Sequence, residues 1–273
     1  MATIVITGAS DGIGAAAARA LIADHTVVIV GRSPTKTQSV ARELGVEHHV
    51  CDFARLDQVR ALAATLADAH PSIDVLANNA GGILAERQVT EDGFEATLQI
   101  NHLAPALLTT LLLPNLRAGA GTVIMTASDA SRVGRLDLAD LAMTRGWSSM
   151  RAYGTAKLAN ICYARGLQRA EGGTGINAAS FHPGVVASSF GSGGGPNVVG
   201  WFYKSWLARQ LFLTNDQGAD TLVWLARGRP GVDWTPGGYF IKRHEVDPPP
   251  QANDDALVDR FYAATQLLVG GEG

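Results

Sequence analysis

Charge is scarce in this sequence. Asp, Glu, Lys and Arg make up 17% of its 273 residues, against 47% apolar ones. A chain that stays unfolded needs low hydrophobicity and high net charge, so disorder is excluded. A basic excess is also missing. The 22 Lys and Arg residues face 25 Asp and Glu, for a formal net charge of −3. Nothing is left over to neutralise phosphates, and no nucleic-acid partner is expected. Cysteine is almost absent, with only Cys51 and Cys162. Two cysteines make a disulfide framework or a zinc site improbable, and they read as buried thiols in a reducing cytoplasm. No metal is expected.

The N-terminus has neither a basic segment nor an apolar signal core; Met1 to Thr7 runs straight into a glycine-rich turn. One stretch, Thr97 to Leu116, lacks Asp, Glu, Lys and Arg. It holds Gln99, Asn101, His102, Pro105 and Asn115, so it reads as a buried helix rather than a bilayer span. The expectation is a soluble cytoplasmic protein with no membrane partner. The length permits one large domain or two small ones. No linker is apparent, so residues 1–273 are expected to form one domain.

Short β-branched runs alternate with helical patterns. Thr3–Thr7, Val27–Val30, Val46–Cys51, Ile73–Ala77, Thr122–Thr126, Ile176–Phe181 and Gly237–Ile241 are predicted strands. Ile13–Ala23, a helix opened by Ser33-Pro34, the Leu56–Leu66 pattern, Phe94–Leu116 and Tyr153–Arg169 are predicted helices. The long helix from Phe94 is expected to be interrupted near Pro105 and Pro114. Alternation of this kind predicts an α/β fold, doubly wound, with a mainly parallel sheet of about seven strands and helices on both faces.

Between the first strand and first helix lies Thr7-Gly8-Ala9-Ser10-Asp11-Gly12-Ile13-Gly14. Glycines let the backbone approach a pyrophosphate, and a helix N-terminus supplies free N–H groups and a favourable dipole. With 31 glycines in the chain, the position of these three, directly after a buried strand, is the informative part. The alternative is a structural tight turn. The second strand ends in Gly31-Arg32-Ser33 with no acid to bind a ribose 2′-hydroxyl. An arginine there suits a 2′-phosphate, which favours NADP(H) over NAD(H). The alternative is an exposed surface arginine.

Tyr153 and Lys157 are spaced to lie on one helical face. An ammonium near a tyrosine, whose ordinary pKa is about 10, favours the phenolate. Such a tyrosine can give a proton to a carbonyl oxygen or take one from an alcohol. A Y-x-x-x-K pair alone is common by chance.

Together with other motifs, the pair resembles the short-chain dehydrogenase/reductase family over nearly the whole chain. Thr7–Gly14 looks like its T-G-x-x-x-G-x-G turn, and Asn78-Asn79-Ala80-Gly81 like its N-N-A-G motif. Asn101, Ser128, Tyr153 and Lys157 match its catalytic tetrad, and Pro183-Gly184 its P-G turn. The resemblance implies roles. Tyr153 would be the general acid/base, and Ser128 would hydrogen-bond the substrate oxygen. Lys157 would bind the nicotinamide ribose and lower the Tyr153 pKa. Asn101 would hold a water linking Lys157 to solvent. Asp52 would contact adenine. Around the cofactor the resemblance places Gly8, Ser10, Asp11, Gly12, Ile13, Gly14, Arg32, Asp52, Phe53, Asn79, Ala80, Gly81, Pro183, Gly184, Val186 and Ser188. Ser188 stands where the family usually has threonine, a mild departure. Asn101 and Asn78 could instead serve buried backbone groups, and Asp52 a helix N-terminus. His102 and His182 read as structural.

Lys157-Leu158-Ala159-Asn160, His182-Pro183-Gly184-Val185-Val186, Asn101-His102 and the 24 residues between Ser128 and Tyr153 are similar to the retinol dehydrogenase and WW-domain oxidoreductase branch. The implied activity is NADP(H)-dependent interconversion of a carbonyl and an alcohol. A non-redox cyclase or isomerase, or a nucleotide-binding regulatory protein, is the alternative. Residues 188–215, glycine-rich and then aromatic, read as a substrate lid over the nicotinamide, with Met143, Trp147 and Met150 as the opposite wall. Apolar walls on both sides would suit a lipophilic or polycyclic small-molecule substrate. Leu107, Leu111, Ile161 and Leu167 are candidate contacts of a homodimer; burial inside one subunit is the alternative.

Overall fold

The computed structural model describes residues 1–184 and 213–270. Eight strands form one sheet: β1 (Thr3–Thr7), β2 (Thr26–Gly31), β3 (Glu47–Val50), β4 (Val75–Asn78), β5 (Thr122–Thr126), β6 (Asn177–His182), β7 (Tyr239–Ile241) and β8 (His244–Glu245). Their spatial order is β3-β2-β1-β4-β5-β6-β7-β8. All neighbouring pairs are parallel except β7 and β8. From β1 the chain winds outward to β2 and β3, then returns and winds the other way from β4. The strand order therefore reverses between β1 and β4. In sheets of this kind ligands bind outside the carboxyl ends of the strands at that reversal.

The helices are α1 (Gly12–Leu21), α2 (Pro34–Leu44), α3 (Leu56–Ala69), α4 (Ala96–Leu98), α5 (Ala104–Leu111), α6 (Leu113–Ala118), α7 (Ser149–Glu171), α8 (Asn215–Arg227) and α9 (Asp255–Gly270). They cover both faces, which is why the strands read as unbroken apolar runs. Alternate residues of β1 serve different layers. Ile4 and Ile6 pack with the alanines of α1 and with Leu222 and Leu225 of α8. Val5 packs with Val59 and Leu66 of α3 and Leu107 of α5. Among the described residues no helix is long and apolar enough to cross a membrane.

Several predicted elements shift. β4 begins at Val75, because Ile73 gives its N–H to the Asn115 carbonyl, outside the sheet ladder. β6 starts at Asn177, paired with Thr122, and β3 is trimmed to Glu47–Val50. Helix α7 begins one turn before Tyr153, since Ser148 caps it by accepting the Arg151 N–H. The helix expected over Phe94–Leu116 is segmented. A π turn, Gln99–Leu103, separates α4 from α5, and Leu112 separates α5 from α6. Pro105 lies in the first turn of α5 directly after the π turn, and Pro114 in the first turn of α6 directly after Leu112, so the interruptions fall near the two prolines as expected.

The expected dimer contacts are corrected. Leu107, Ile161 and Leu167 are 1%, 0% and 0% exposed within one chain, and only Leu111, at 36%, reaches the surface. The reason is α9, which packs across α5 and α7 and spends that apolar face inside the subunit.

Candidate active site

The glycine turn is held by side chains from the next strand in the sheet. Thr7 Oγ1 donates to the Ala77 carbonyl and accepts the N–H groups of Asn79 and Ala80, both at 3.0 Å. Asn79 Nδ2 donates to the carbonyls of Thr7 and Gly8 at 3.1 and 3.3 Å. Contact this close fixes the residue type. Gly8 has φ +66°, and a Cβ on it would lie 2.7 Å from Ala80 Cα. A Cβ on Gly14 would lie 2.5 Å from the Gly8 carbonyl oxygen. The first turn of α1 begins here, with N–H groups that have no intrahelical carbonyl. Asp11, expected beside the cofactor, caps this helix by accepting the Gly12 N–H and pairs with Lys36 Nζ at 3.0 Å.

At the end of β2, Gly31 leaves room for Ser10, whose Cβ would be 2.7 Å from any added methyl. Arg32 is exposed and has no ion-pair partner among the described residues. At the end of β3, Asp52 is half-buried, and its Oδ1 accepts the Ala54 N–H at 3.0 Å. Phe53 beside it is buried, with its carbonyl held by Gln99 Nε2 of the π turn.

The catalytic candidates come from three elements. Ser128 follows β5 and caps a 3-10 turn, Asp129–Arg132, by accepting the Ala130 N–H. That turn presses on α7 where Gly154 follows Tyr153: a Cβ on Gly154 would lie 2.4 Å from the Ala130 carbonyl oxygen. Ser128 and Tyr153 are thereby brought to the same end of the sheet. Tyr153 is 7% exposed, and Lys157 Nζ lies 5.5 Å from the centre of its ring. Lys157 is wholly buried and donates to the Thr126 carbonyl at 3.1 Å. Burial pushes its pKa down to about 7.

Asn101 sits in the π turn. Its Nδ2 donates to the carbonyls of Thr97 and Gly82, both at 2.9 Å, and its Oδ1 accepts the Gly82 N–H at 3.0 Å. Its backbone carbonyl accepts from Asn160 Nδ2 at 3.0 Å, so the side chain and the carbonyl both have partners within the protein. Gly81 is small because Asn101 and Lys157 flank it: a Cβ there would be 2.4 Å from Asn101 Oδ1 and 3.1 Å from Lys157 Nζ.

Asn78 donates to two side-chain atoms inside the core, Thr109 Oγ1 and Met125 Sδ, rather than to the backbone groups expected as the alternative. His102 is fully buried and its pKa is pushed down to about 4, chiefly by desolvation. Burial also lowers the pKa of His182, whose Nδ1 has no hydrogen-bond partner among the described residues. Pro183 and Gly184 follow β6, and Gly184 has φ +85°. Val186, Ser188 and most of the expected lid, residues 188–215, lie outside the described residues. Of the expected opposite wall, Met143 is buried, Trp147 half-buried and Met150 51% exposed. Motif reading missed Glu95, a buried carboxylate that caps α4 through the Leu98 N–H and accepts the Trp147 indole N–H at 3.1 Å. Its signal was an acid inside an otherwise apolar helical stretch. Among the described residues no cluster of His, Cys, Asp or Glu could hold a metal ion.

A glycine turn at the switch point of a parallel sheet, with a Ser, Tyr and Lys at the same edge, defines a nucleotide-dependent oxidoreductase. The short-chain dehydrogenase family model matches residues 2–193, and the chain belongs to that family. It is 41% identical over 276 residues to a protein of Streptomyces sp. (strain C5) provisionally assigned as daunorubicin C-13 ketoreductase DnrU, covering 98% of this chain and 92% of that one. It is 32% identical over 284 residues to human retinol dehydrogenase 13, covering 99% and 85%. A crystal structure of an uncharacterized protein of Mycobacterium paratuberculosis superposes with a TM-score of 0.80 at 30% identity, covering 100% and 94%. The chain is an oxidoreductase of the short-chain dehydrogenase family, and two of these relatives are named for carbonyl or alcohol chemistry, one as a ketoreductase and one as a retinol dehydrogenase.

Proposed function

We propose that the protein is an NADP(H)-dependent reductase of bulky, lipophilic carbonyl compounds, with Tyr153 as general acid/base. The observation that carries this reading is the Lys157 ammonium. It is buried under the Tyr153 ring with one protein acceptor among the described residues for its three N–H bonds. A buried ammonium left short of acceptors fits the hydroxyls of a bound ribose. The glycine turn and the free N–H groups of α1 would take the pyrophosphate. Arg32 would take the 2′-phosphate, with Lys36 and Ser10 beside it.

A nicotinamide cofactor, when held there, would supply or accept the hydride. Ser128 Oγ–H donates to the substrate oxygen and stabilises its developing charge. Tyr153 gives that oxygen its phenolic proton in reduction and recovers it in the reverse direction. Lys157 beside the ring stabilises the phenolate left behind. The name of the 41%-identical relative, a daunorubicin C-13 ketoreductase by provisional assignment, supports a bulky ketone substrate.

The test is NADPH consumption with aromatic and polycyclic ketones against pyruvate-sized keto acids, together with the affinities for NADPH and NADH. Turnover is expected with the bulky ketones and NADPH. Preference for small charged acids, or equal affinity for the two cofactors, would overturn the substrate or the cofactor assignment respectively.

A further inference from the structure

Asn160 lies three residues beyond Lys157 on the same face of α7 and is 1% exposed. Its Nδ2 sits 3.0 Å from two carbonyl oxygens, those of Asn101 in the π turn and Thr126 at the end of β5. Carbonyls only accept, so the amide orientation is determined. Oδ1 then faces His102 Nδ1 at 3.1 Å, and that nitrogen must carry the proton. His102 is neutral, buried and low in pKa, so its other nitrogen, Nε2, is an acceptor. The group 3.1 Å from Nε2 is Thr265 Oγ1, on α9. The bonds therefore run one way, from the Thr265 hydroxyl through His102 and Asn160 to two backbone carbonyls. One of those carbonyls is the acceptor that anchors Lys157 Nζ.

We propose that Asn160 is a positioning residue for the Lys157 ammonium, and that the C-terminal helix sets it through Thr265 and His102. The inference rests on the roles given above to Tyr153 and Lys157. Asn160 ties β5, the π turn and α7 together at one point. It holds the Thr126 carbonyl where a lysine one turn earlier on the same helix can reach it. In a water-free interior, bonds in series polarise one another. Each link thus makes Asn160 a better donor to the two carbonyls and keeps them from turning away. Without it the ammonium loses a fixed acceptor and gives up its proton at lower pH. Among the described residues the titratable groups beside Lys157 are Tyr153 on its own helix and neutral His102 on the π turn.

The experiment compares wild type, Tyr153→Phe, Asn160→Leu, Thr265→Val and Thr265→Ser. The readouts are kcat and KM for a ketone against pH, NADPH affinity, and melting temperature. Asn160→Leu is expected to lower kcat near neutral pH by about 10-fold, the scale of one hydrogen bond to a charged group. The alkaline limb of the kcat profile should move to lower pH while substrate KM changes by less than about 2-fold. Thr265→Val, on a helix remote from substrate, should move the limb the same way by a smaller amount, and Thr265→Ser should restore it. An unmoved limb in a folded Thr265→Val protein would reduce the chain of bonds to packing and overturn the inference, whether or not Asn160→Leu folds. Undiminished turnover in Tyr153→Phe would bring down the catalytic reading and this inference with it. Loss of turnover there, with the limb unmoved in Thr265→Val, would remove this inference alone.

Discussion

The two ends of the active-site edge are built in different ways. The proposed nucleotide end, from Thr7 to Gly14, is backbone: a strand, a tight turn and a helix N-terminus, stapled by Thr7 and Asn79. The proposed catalytic end is side chain. It gathers Ser128, Tyr153, Lys157 and Asn101 from a 3-10 turn, a long helix and a π turn, with a brace from α9. Backbone recognition is set by a short stretch of sequence and tolerates little change there. Side-chain chemistry is set by packing, so distant residues can tune it.

The largest contrast is expected from Tyr153→Phe. It removes one oxygen at the catalytic end and should cut turnover by at least about 100-fold, the low end for general acid–base catalysis. NADPH affinity, measured by calorimetry, should stay within about 2-fold. A parallel loss of cofactor binding would break the separation of the two ends. Arg32→Asp makes the reciprocal change. Charge-assisted hydrogen bonds contribute roughly 1.5–3 kcal/mol, or about 10–150-fold in affinity. NADPH should weaken by at least that factor, with NADH binding unchanged or improved and the turnover of bound enzyme near normal.

Thr7→Val keeps the shape of the glycine turn but strips an acceptor from two N–H groups, at a cost of about 1–3 kcal/mol each if both stay buried. The melting temperature and NADPH affinity should fall together, while kcat at saturating NADPH changes little. The smallest effect concerns pH. The pKa of Lys157 falls from 10.5 to about 7 on burial. The unfolded chain therefore binds the extra proton between those values, and stability of the cofactor-free protein rises with pH across that window. Below about 7 the penalty is fully present. Lys157→Met should remove this slope, so its melting temperature should gain on wild type near pH 6 and gain less near pH 9.

Legibility followed the same division. The Thr7–Gly14 turn and the Tyr153/Lys157 spacing could be read because each depends on neighbours within a turn or two. Helix α9 carries no motif, and its role depends on Thr265 meeting His102, 163 positions earlier in the chain. Its absence from the sequence reading also left Leu107, Ile161 and Leu167 looking like an interface rather than a core. The π turn was equally hidden. Gln99 to Leu103 has ordinary helical composition, and the turn shows only once Asn101 Nδ2 takes the Thr97 carbonyl four residues back. Glu95 carries no motif, and its burial depends on Trp147, 52 positions later, being brought to it.

By itself the sequence determined the α/β alternation, the mainly parallel sheet and the short-chain dehydrogenase family, and it offered the glycine turn and the tetrad as candidates. These depend on local backbone preference and on the spacing of apolar and glycine residues. Only the tertiary structure decided that the Asn101 side chain is spent on Gly82 and Thr97, that Lys157 is buried with its charge disfavoured, and that Asn160 and α9 stand behind it. The physical reason is that pKa, tautomer and hydrogen-bond direction depend on which groups are excluded from water together. That is a property of how remote segments pack rather than of any segment alone.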